Sequence, residues 1–259
     1  MLGKFVARGR TAEIFRWEEE YVVKLFYDFI SYEAVIREYE NTLKICKGAN
    51  ICPSPMELIK YDNRDGIVYE NVKGKSLTAF ILENPLKLKE AGKLLAETQL
   101  KIHRIKGDNL NSVKEYLSDN ITNSSKLEAF KKEEVLKILN LLPDDNILCH
   151  MDYHPDNVFY DGINTYVIDW MTAGFGNPIA DIARTVLILR YAVVPFQNPL
   201  FRGFIKISRE IIIKEYLKQY RLVNPFDMEL FNKWLIVIAA ARTREKLPGE
   251  EIKRILEIL

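Results

Sequence analysis

Cysteine is scarce in this chain: Cys46, Cys52 and Cys149 are three among 259 residues. An odd count with no CxxC pair points to a reduced, cytoplasmic protein. An excess of either charge is also missing, since 37 Lys and Arg face 36 Asp and Glu for a formal net charge of +1. That balance removes any global attraction to nucleic acid or to an anionic membrane. No apolar run approaches the roughly 20 residues of a membrane span, and the N-terminus has no signal-peptide hydrophobic region. Low-complexity tracts and internal repeats are absent as well. What remains is a chain long enough to bury a substantial core in one or two domains.

Histidine is equally rare, and two of the three histidines fall in one stretch, 150–170, HMDYHPDNVFYDGINTYVIDW. After Asn157 comes VFY, then Asp161-Gly162, then Thr165 to Ile168. Two short β-type runs around a glycine-containing turn predict a hairpin. Asn157 and Asp169 are equidistant from a centre near Ile163, so the hairpin carries both to its open end. Two hard oxygen donors facing one point suit Mg2+ held together with substrate phosphates. Asp152, five residues before Asn157, falls in the preceding loop as a carboxylate close to that metal.

This stretch resembles the catalytic and metal-binding segments of the aminoglycoside phosphotransferase/choline kinase-like family, relatives of the protein kinases. The family's His-Gly-Asp-Leu-His-Pro-x-Asn stands here as His150-Met151-Asp152-Tyr153-His154-Pro155-Asp156-Asn157, and its Ile-Asp-Trp/Phe as Ile168-Asp169-Trp170. The resemblance implies an α+β, bilobal protein-kinase-like fold. A small β-rich N-lobe over 1–73 would bind nucleotide, and a mostly helical C-lobe over 74–259 would hold the catalytic and acceptor-binding groups. It implies Asp152 as catalytic base with His154 beside it in the catalytic set, Mg2+ on Asn157 and Asp169, and His150 as an orienting residue. Met151 departs from the pattern, because glycine is usual there.

In chain order, residues 4–26 read as three short strands, with Gly9-Arg10-Thr11 between the first two. Backbone N–H groups at Gly9 and the Thr11 hydroxyl could close over phosphates, and a plain hairpin turn explains the segment equally well. Lys24 in VVKLF resembles the kinase strand lysine that pairs the α- and β-phosphates. Residues 31–47 read as a helix with Ser31 as N-cap and Gly48 as C′ residue. The helix carries Glu33, Glu38 and Glu40. The family's phase favours Glu38 as the partner of Lys24, with Glu40 second. A strand from Glu57 to Tyr61 is expected to turn at Asn63-Arg64-Asp65-Gly66. Ile67 to Gly74 then reads as a strand entering a connector. By the resemblance this is the hinge, where the Glu70 carbonyl and Val72 N–H meet the purine and Tyr69 guards the rear of the pocket. Phe159 and Ile168 complete the implied nucleotide-binding set.

Beyond residue 73 the chain turns helical, with Ala91, Leu94, Leu95, Ile102 and Ile105 at helical spacing. His103 on that helix reads as a structural contact. Residues 107–125 read as a loop or weakly ordered helix, and 126–142 as an amphipathic helix. Gly176 to Asp181 opens a helix, ADIARTVLILRY, too apolar to be exposed on any wide face. Asp181 resembles a family aspartate that braces the catalytic loop.

The implied reaction moves the γ-phosphoryl group of ATP or GTP to a hydroxyl of a small molecule. Nucleotide and acceptor are the implied partners; no nucleic acid, membrane or obligate protein partner is. A protein kinase is the first alternative, weakened by the lack of an Ala-Pro-Glu segment and of room for an activation loop after Asp169. A non-catalytic module of the same fold is the second, and it would be expected to have lost Lys24, Asp152, Asn157 or Asp169. The segment 182–259, expected to wall the acceptor, holds 14 Lys and Arg against 8 Asp and Glu. That excess argues against a polycationic acceptor, with Asp108, Glu115 and Asp119 the candidates for an acidic pocket.

Overall fold

The computed structural model describes residues 2–48, 51–107, 109–193 and 199–259. In chain order these form β1 (Leu2–Arg8), β2 (Ala12–Trp17), β3 (Tyr21–Phe26), α1 (Tyr32–Gly48), β4 (Pro55–Tyr61), β5 (Arg64–Glu70) and β6 (Lys75–Ser76). Then follow α2 (Leu77–Glu83), α3 (Leu88–Ile102), α4 (Val113–Thr122), α5 (Ala129–Leu141), β7 (Ile147–Cys149), β8 (Val158–Tyr160), β9 (Thr165–Val167) and β10 (Gly174–Gly176). The chain continues through α6 (Pro178–Tyr191), α7 (Pro199–Val223), α8 (Met228–Arg242) and α9 (Gly249–Leu256). It is a mixed α+β protein, with a small antiparallel sheet towards the N-terminus and helices dominating the C-terminal part. Two compact units divide it: Met1–Leu77 with Asp156–Thr172, and Thr78–Pro155 with Ala173–Leu259.

In the first unit a five-stranded antiparallel sheet runs in the order β1-β2-β3-β5-β4. Strand alternation sends Val23 and Leu25 of β3 into one buried cluster with Val68. Phe26 joins the other, with Ala12, Ile67, Tyr69 and Val35 of α1. Lys24 shares the parity of Phe26 and so lies on the face that α1 covers. Glu38, one helical turn beyond Val35, is on the same face of α1. Ser31 caps this helix, its Oγ accepting the Ala34 N–H at 3.3 Å.

The expected turn at Asn63 to Gly66 needs correction. The reversal is two residues earlier, at Asp62 and Asn63, which take φ of 48° and 60°; Arg64 to Gly66 already belong to β5. Left-handed backbone at both central positions suits a tight hairpin, and Asp and Asn tolerate it. Gly66 is needed instead for close packing, since a Cβ there would lie 2.8 Å from the Leu25 side chain.

A second sheet of this unit, ordered β6-β8-β9, contains the expected hairpin. Val158 faces Val167 and Tyr160 faces Thr165. The Asp161 Oδ1 accepts the N–H groups of Ile163 and Asn164 at 2.8 and 2.7 Å, which closes the turn. Gly74 sits at φ 115° against this hairpin, and a Cβ there would meet the Tyr160 carbonyl oxygen at 2.4 Å.

The reading of three unpaired cysteines is corrected as well. Cys46, in the last turns of α1, is disulfide-bonded to Cys52, with their Cα atoms 5.7 Å apart. Six positions apart in sequence, the two are within disulfide reach in space. Cys149 is free and buried.

The second unit is built on α6, whose residues from Ile179 to Leu189 are all buried. Asn177 caps it through an acceptor bond from the Ile179 N–H, and Pro178 occupies the first turn. The segment expected as a loop or weak helix at 107–125 contains α4, started by Ser112, whose side chain accepts from the Glu115 N–H. No described helix is long and apolar enough to cross a membrane.

Candidate active site

The first unit holds a buried charge cluster. Lys24 Nζ lies 2.6 Å from Glu38 Oε1 and 3.1 Å from Asp169 Oδ1. Tyr69 donates its hydroxyl to the same Glu38 oxygen at 3.0 Å. The side chain of Glu38 is 1% exposed, and its Oε2 is buried with no hydrogen-bond partner among the described residues. Glu33 and Glu40, the other acids considered on α1, are exposed. Burial works to lower the Lys24 pKa, but Asp169 and Glu38 outweigh it and raise the ammonium above its ordinary value. Burial, reinforced by Asp169, pushes the Glu38 carboxyl up against the pull of Lys24. One ammonium against two carboxylates leaves an unbalanced negative charge in a poorly solvated place.

The hairpin delivers Asp169 to this cluster. The Ile168 N–H donates to the Asn157 carbonyl at 3.0 Å, so Asn157 is opposite Ile168 and Asp169 is one residue beyond. The symmetry centre is therefore between Gly162 and Ile163, half a residue from the expected one. Asp169 adopts φ 68°, a left-handed conformation uncommon outside glycine. That backbone turn aims a side chain 31% exposed towards Lys24, while Asn157 is buried. Phe159 and Ile168 are half-buried.

Other expected nucleotide contacts also fall in this unit. Gly9 has its N–H bonded to the Ala12 carbonyl at 2.8 Å, so the turn itself satisfies that donor. The Thr11 carbonyl accepts the Tyr27 N–H at 2.9 Å. Glu70 closes β5: its N–H donates to the Ser54 carbonyl at 3.1 Å, and its carboxylate accepts the Ser54 N–H at 3.2 Å. The next N–H, of Asn71, donates to the Glu20 carbonyl at 2.8 Å. Val72, half-buried, follows in the connector before Gly74.

The second unit holds the loop that carries Asp152. Asp181, in the first turn of α6, accepts the His150 N–H at 3.0 Å and the Met151 N–H at 2.7 Å. Gln99 and His103 of α3 reach the same carboxylate at 2.9 and 3.1 Å. His103 also meets the Tyr220 hydroxyl at 2.7 Å, a structural role as expected from its helix. Burial opposes ionisation of Asp181, yet these donors hold its carboxyl below the usual range. The clamp explains Met151. It stands at φ 60°, where glycine is at ease, and its side chain is wholly buried.

Within that loop the Asp152 N–H donates to His150 Nδ1 at 3.2 Å. The Asp152 side chain is 35% exposed, with His154 Nε2 at 3.7 Å and Arg184 Nη2 at 3.8 Å. Burial works to raise its pKa, but His154 and Arg184 hold the carboxyl well below the usual carboxylate range. Such an acid is ionised at neutral pH. Sequence reasoning missed Arg184 and the Glu245 it pairs with at 2.8 Å. The available signal was Arg184 itself, a guanidinium in the apolar middle of a helix whose other arginine, Arg190, is exposed in its last turn.

Solved structures share this fold. An amicoumacin kinase in complex with AMP-PNP, Ca2+ and Ami matches with a TM-score of 0.64 at 14% identity, over 99% of this chain and 88% of that one. An aminoglycoside-3'-phosphotransferase of type VIII matches with a TM-score of 0.63 at 17% identity, over 92% and 93%. A choline kinase from Cryptosporidium parvum Iowa II matches with a TM-score of 0.58 at 13% identity, over 100% and 87%. The fold is the one these phosphotransferases and the choline kinase share. Residues 3–210 match the profile of the phosphotransferase enzyme family, and the chain belongs to that family. Among curated proteins none matches it significantly.

Proposed function

We propose that this chain transfers the γ-phosphoryl group of a nucleoside triphosphate, ATP first and GTP as the alternative, to a hydroxyl of a small molecule. The observation that carries this reading is Lys24 bridging Glu38 and Asp169 at 2.6 and 3.1 Å. An ammonium fixed by a buried glutamate is positioned to receive phosphate oxygens, and this chemistry depends chiefly on positioning and charge stabilisation. In this reading residues 1–73 bind the nucleotide through Lys24, Tyr69, Glu70 and Val72, with the Gly9–Thr11 turn over it. Residues 74–259 supply Asp152, which orients the acceptor hydroxyl and takes its proton, with His154 beside it.

The donors at Asn157 and Asp169 suit Mg2+: one amide oxygen and one carboxylate, both hard, with other positions left to phosphate oxygens and water. The unbalanced negative charge around Lys24 supports the same assignment, because a divalent cation offsets it. When bound, Mg2+ would neutralise charge developing on the phosphate oxygens.

For the acceptor we propose a neutral or singly charged hydroxyl compound. The excess of 14 cations over 8 acids along 182–259 disfavours a polycation. Of the acidic candidates, Asp119 is ion-paired to Arg244, Glu115 is exposed in the first turn of α4, and Asp108 lies outside the described residues. The test is a screen of aminoglycosides, amino alcohols, sugars, nucleosides and macrolides by nucleotide consumption, with and without Mg2+. Acceptor-dependent, Mg2+-dependent turnover on an uncharged or singly charged alcohol is expected. Saturable phosphorylation of kanamycin at micromolar KM overturns the acceptor class, and failure to bind Mg2+-nucleotide overturns the reading as a whole.

A further inference from the structure

The helix that clamps the Asp152 loop by its backbone also reaches the Asp152 side chain. Asp181 takes the His150 and Met151 N–H groups, and Arg184, one turn further along α6, brings Nη2 to 3.8 Å from Asp152 Oδ1. Arg184 is itself held: its side chain is buried, and Nη2 sits 2.8 Å from Glu245 Oε1. Glu245 uses its second oxygen on Arg242 at 3.3 Å, and Arg242 pairs with buried Glu251 at 3.1 Å. Glu251 Oε2 accepts the Val193 N–H at 3.2 Å. The charges alternate along the chain Asp152, Arg184, Glu245, Arg242, Glu251, with a carboxylate at each end.

We infer that Arg184 is the positioning residue for Asp152, its guanidinium anchored by Glu245 and Arg242 so that the carboxylate faces the acceptor in one orientation. The inference rests on the reading of Asp152 as the acceptor-side base. Distance decides the role. At 3.8 Å Arg184 is too far for a strong hydrogen bond that would bury the carboxylate's lone pairs, and Asp152 stays one-third open. It is near enough to bias both the orientation and the ionisation of Asp152. An arginine suits this better than a lysine, because its guanidinium is rigid and always charged, and Nη2 alone faces both carboxylates from one fixed position. The short Arg184–Glu245 contact is the anchor, and the long Arg184–Asp152 contact is the working end.

The test uses the full chain with Asp152→Asn, Arg184→Gln, the double variant and Arg184→Lys. Mg2+–AMP-PNP affinity is read by calorimetry, and single-turnover transfer of the ATP γ-phosphoryl group to water is read as phosphate release. Arg184→Gln is expected to slow release by about 10²-fold, the scale of a misplaced catalytic group, with AMP-PNP affinity unchanged. In the Asp152→Asn background the same substitution should cost nothing further, and Arg184→Lys should recover part of the rate. Losses that simply add in the double variant overturn the inference. So does wild-type turnover in Arg184→Gln while Asp152→Asn is slow. Wild-type turnover in Asp152→Asn overturns the base reading itself. If Arg184→Gln does not fold, Glu245→Gln takes its place, because it removes the anchor at a partly exposed site. A smaller loss that again vanishes in the Asp152→Asn background is then expected, and an additive one overturns the inference.

Discussion

The two units each hold a charge cluster in which carboxylates outnumber cations by one, and the two are built differently. Around Lys24 the ammonium touches its partners at 2.6 and 3.1 Å, and Glu38 has almost no exposure. Around Asp152 the Arg184 guanidinium nitrogen is 3.8 Å away and the His154 ring nitrogen 3.7 Å, and the carboxylate is one-third open. The short distances appear at Arg184 and Glu245 instead, one step back from Asp152. Groups that hold a fixed charge in place are buried and tightly paired. In the proposed reading, the carboxylate that takes the acceptor proton is held ionised by a guanidinium that stands 3.8 Å back from it. The comparison can be tested by breaking each cluster at one atom.

The largest effect is expected at the open end. Asp152→Asn should lower kcat by about 10²–10⁴, the scale of a positioned acid–base group, while Mg2+–AMP-PNP affinity and thermal stability stay near wild type. Asp169→Asn provides the contrast, since it should abolish Mg2+-dependent nucleotide binding. Equal loss of nucleotide affinity in both variants would erase the proposed division of roles.

At the tight end the penalty should appear as stability. Glu38→Gln removes one of the two carboxylates facing a buried ammonium, and breaking such a pair costs about 3 kcal/mol, the low end of the range because Asp169 remains. Denaturant unfolding of the nucleotide-free protein measures it. A change within error would mean that Lys24 is better solvated than its surroundings imply.

Met151 joins the two styles, because it is a buried residue placed within the loop that carries Asp152. Met151→Gly relieves a left-handed backbone costing about 1 kcal/mol but removes a wholly buried side chain worth about 2–3 kcal/mol before any cavity cost. A net loss of about 2 kcal/mol is expected, with Mg2+–nucleotide affinity unchanged. A more stable glycine variant would show that backbone strain dominates packing here.

Much of this organisation was legible because it is local. The hairpin, its Asp-Gly turn and the Asp and Asn at its open end lie within one stretch, where spacing fixes geometry. Lys24 and Glu38 were legible only through family resemblance. The pair spans 14 positions, and Glu33 and Glu40 have the same chemistry; burial alone separates them. The Cys46–Cys52 bond was missed because spacing was read along the chain, whereas the two Cα atoms are 5.7 Å apart in space. Arg184 and Glu245 are 61 residues apart and come together through packing of the C-terminal part. No periodicity records such a contact. The turn at Asp62-Asn63 was misplaced because Gly66 was taken as a turn glycine, when its role is to admit the Leu25 side chain.

The smallest effect is expected at Tyr69, where two roles give different outcomes. One role is steric: a bulky ring at the rear of the purine pocket selects the base and so sets the ratio of GTP to ATP use. The other is the one its contacts describe, with the ring buried among Ala12, Phe26, Val35 and Ile67 and the hydroxyl donating to Glu38 Oε1 at 3.0 Å. Burial raises the phenol pKa well above its ordinary value, so Tyr69 remains a donor across the working pH range. A hydrogen bond to a charged acceptor contributes about 1.5 kcal/mol. Tyr69→Phe keeps the ring and deletes that donor. It should lower stability by about that amount and weaken ATP and GTP binding by the same factor, because both depend on Lys24 being held by Glu38. Tyr69→Met removes the ring as well. If the steric role operates, only the methionine variant shifts the GTP/ATP ratio; if the hydroxyl is what matters, both variants weaken the two nucleotides in parallel. The parallel loss is the expected result, and a ratio that moves in Tyr69→Met with Tyr69→Phe behaving as wild type would assign Tyr69 to base selection.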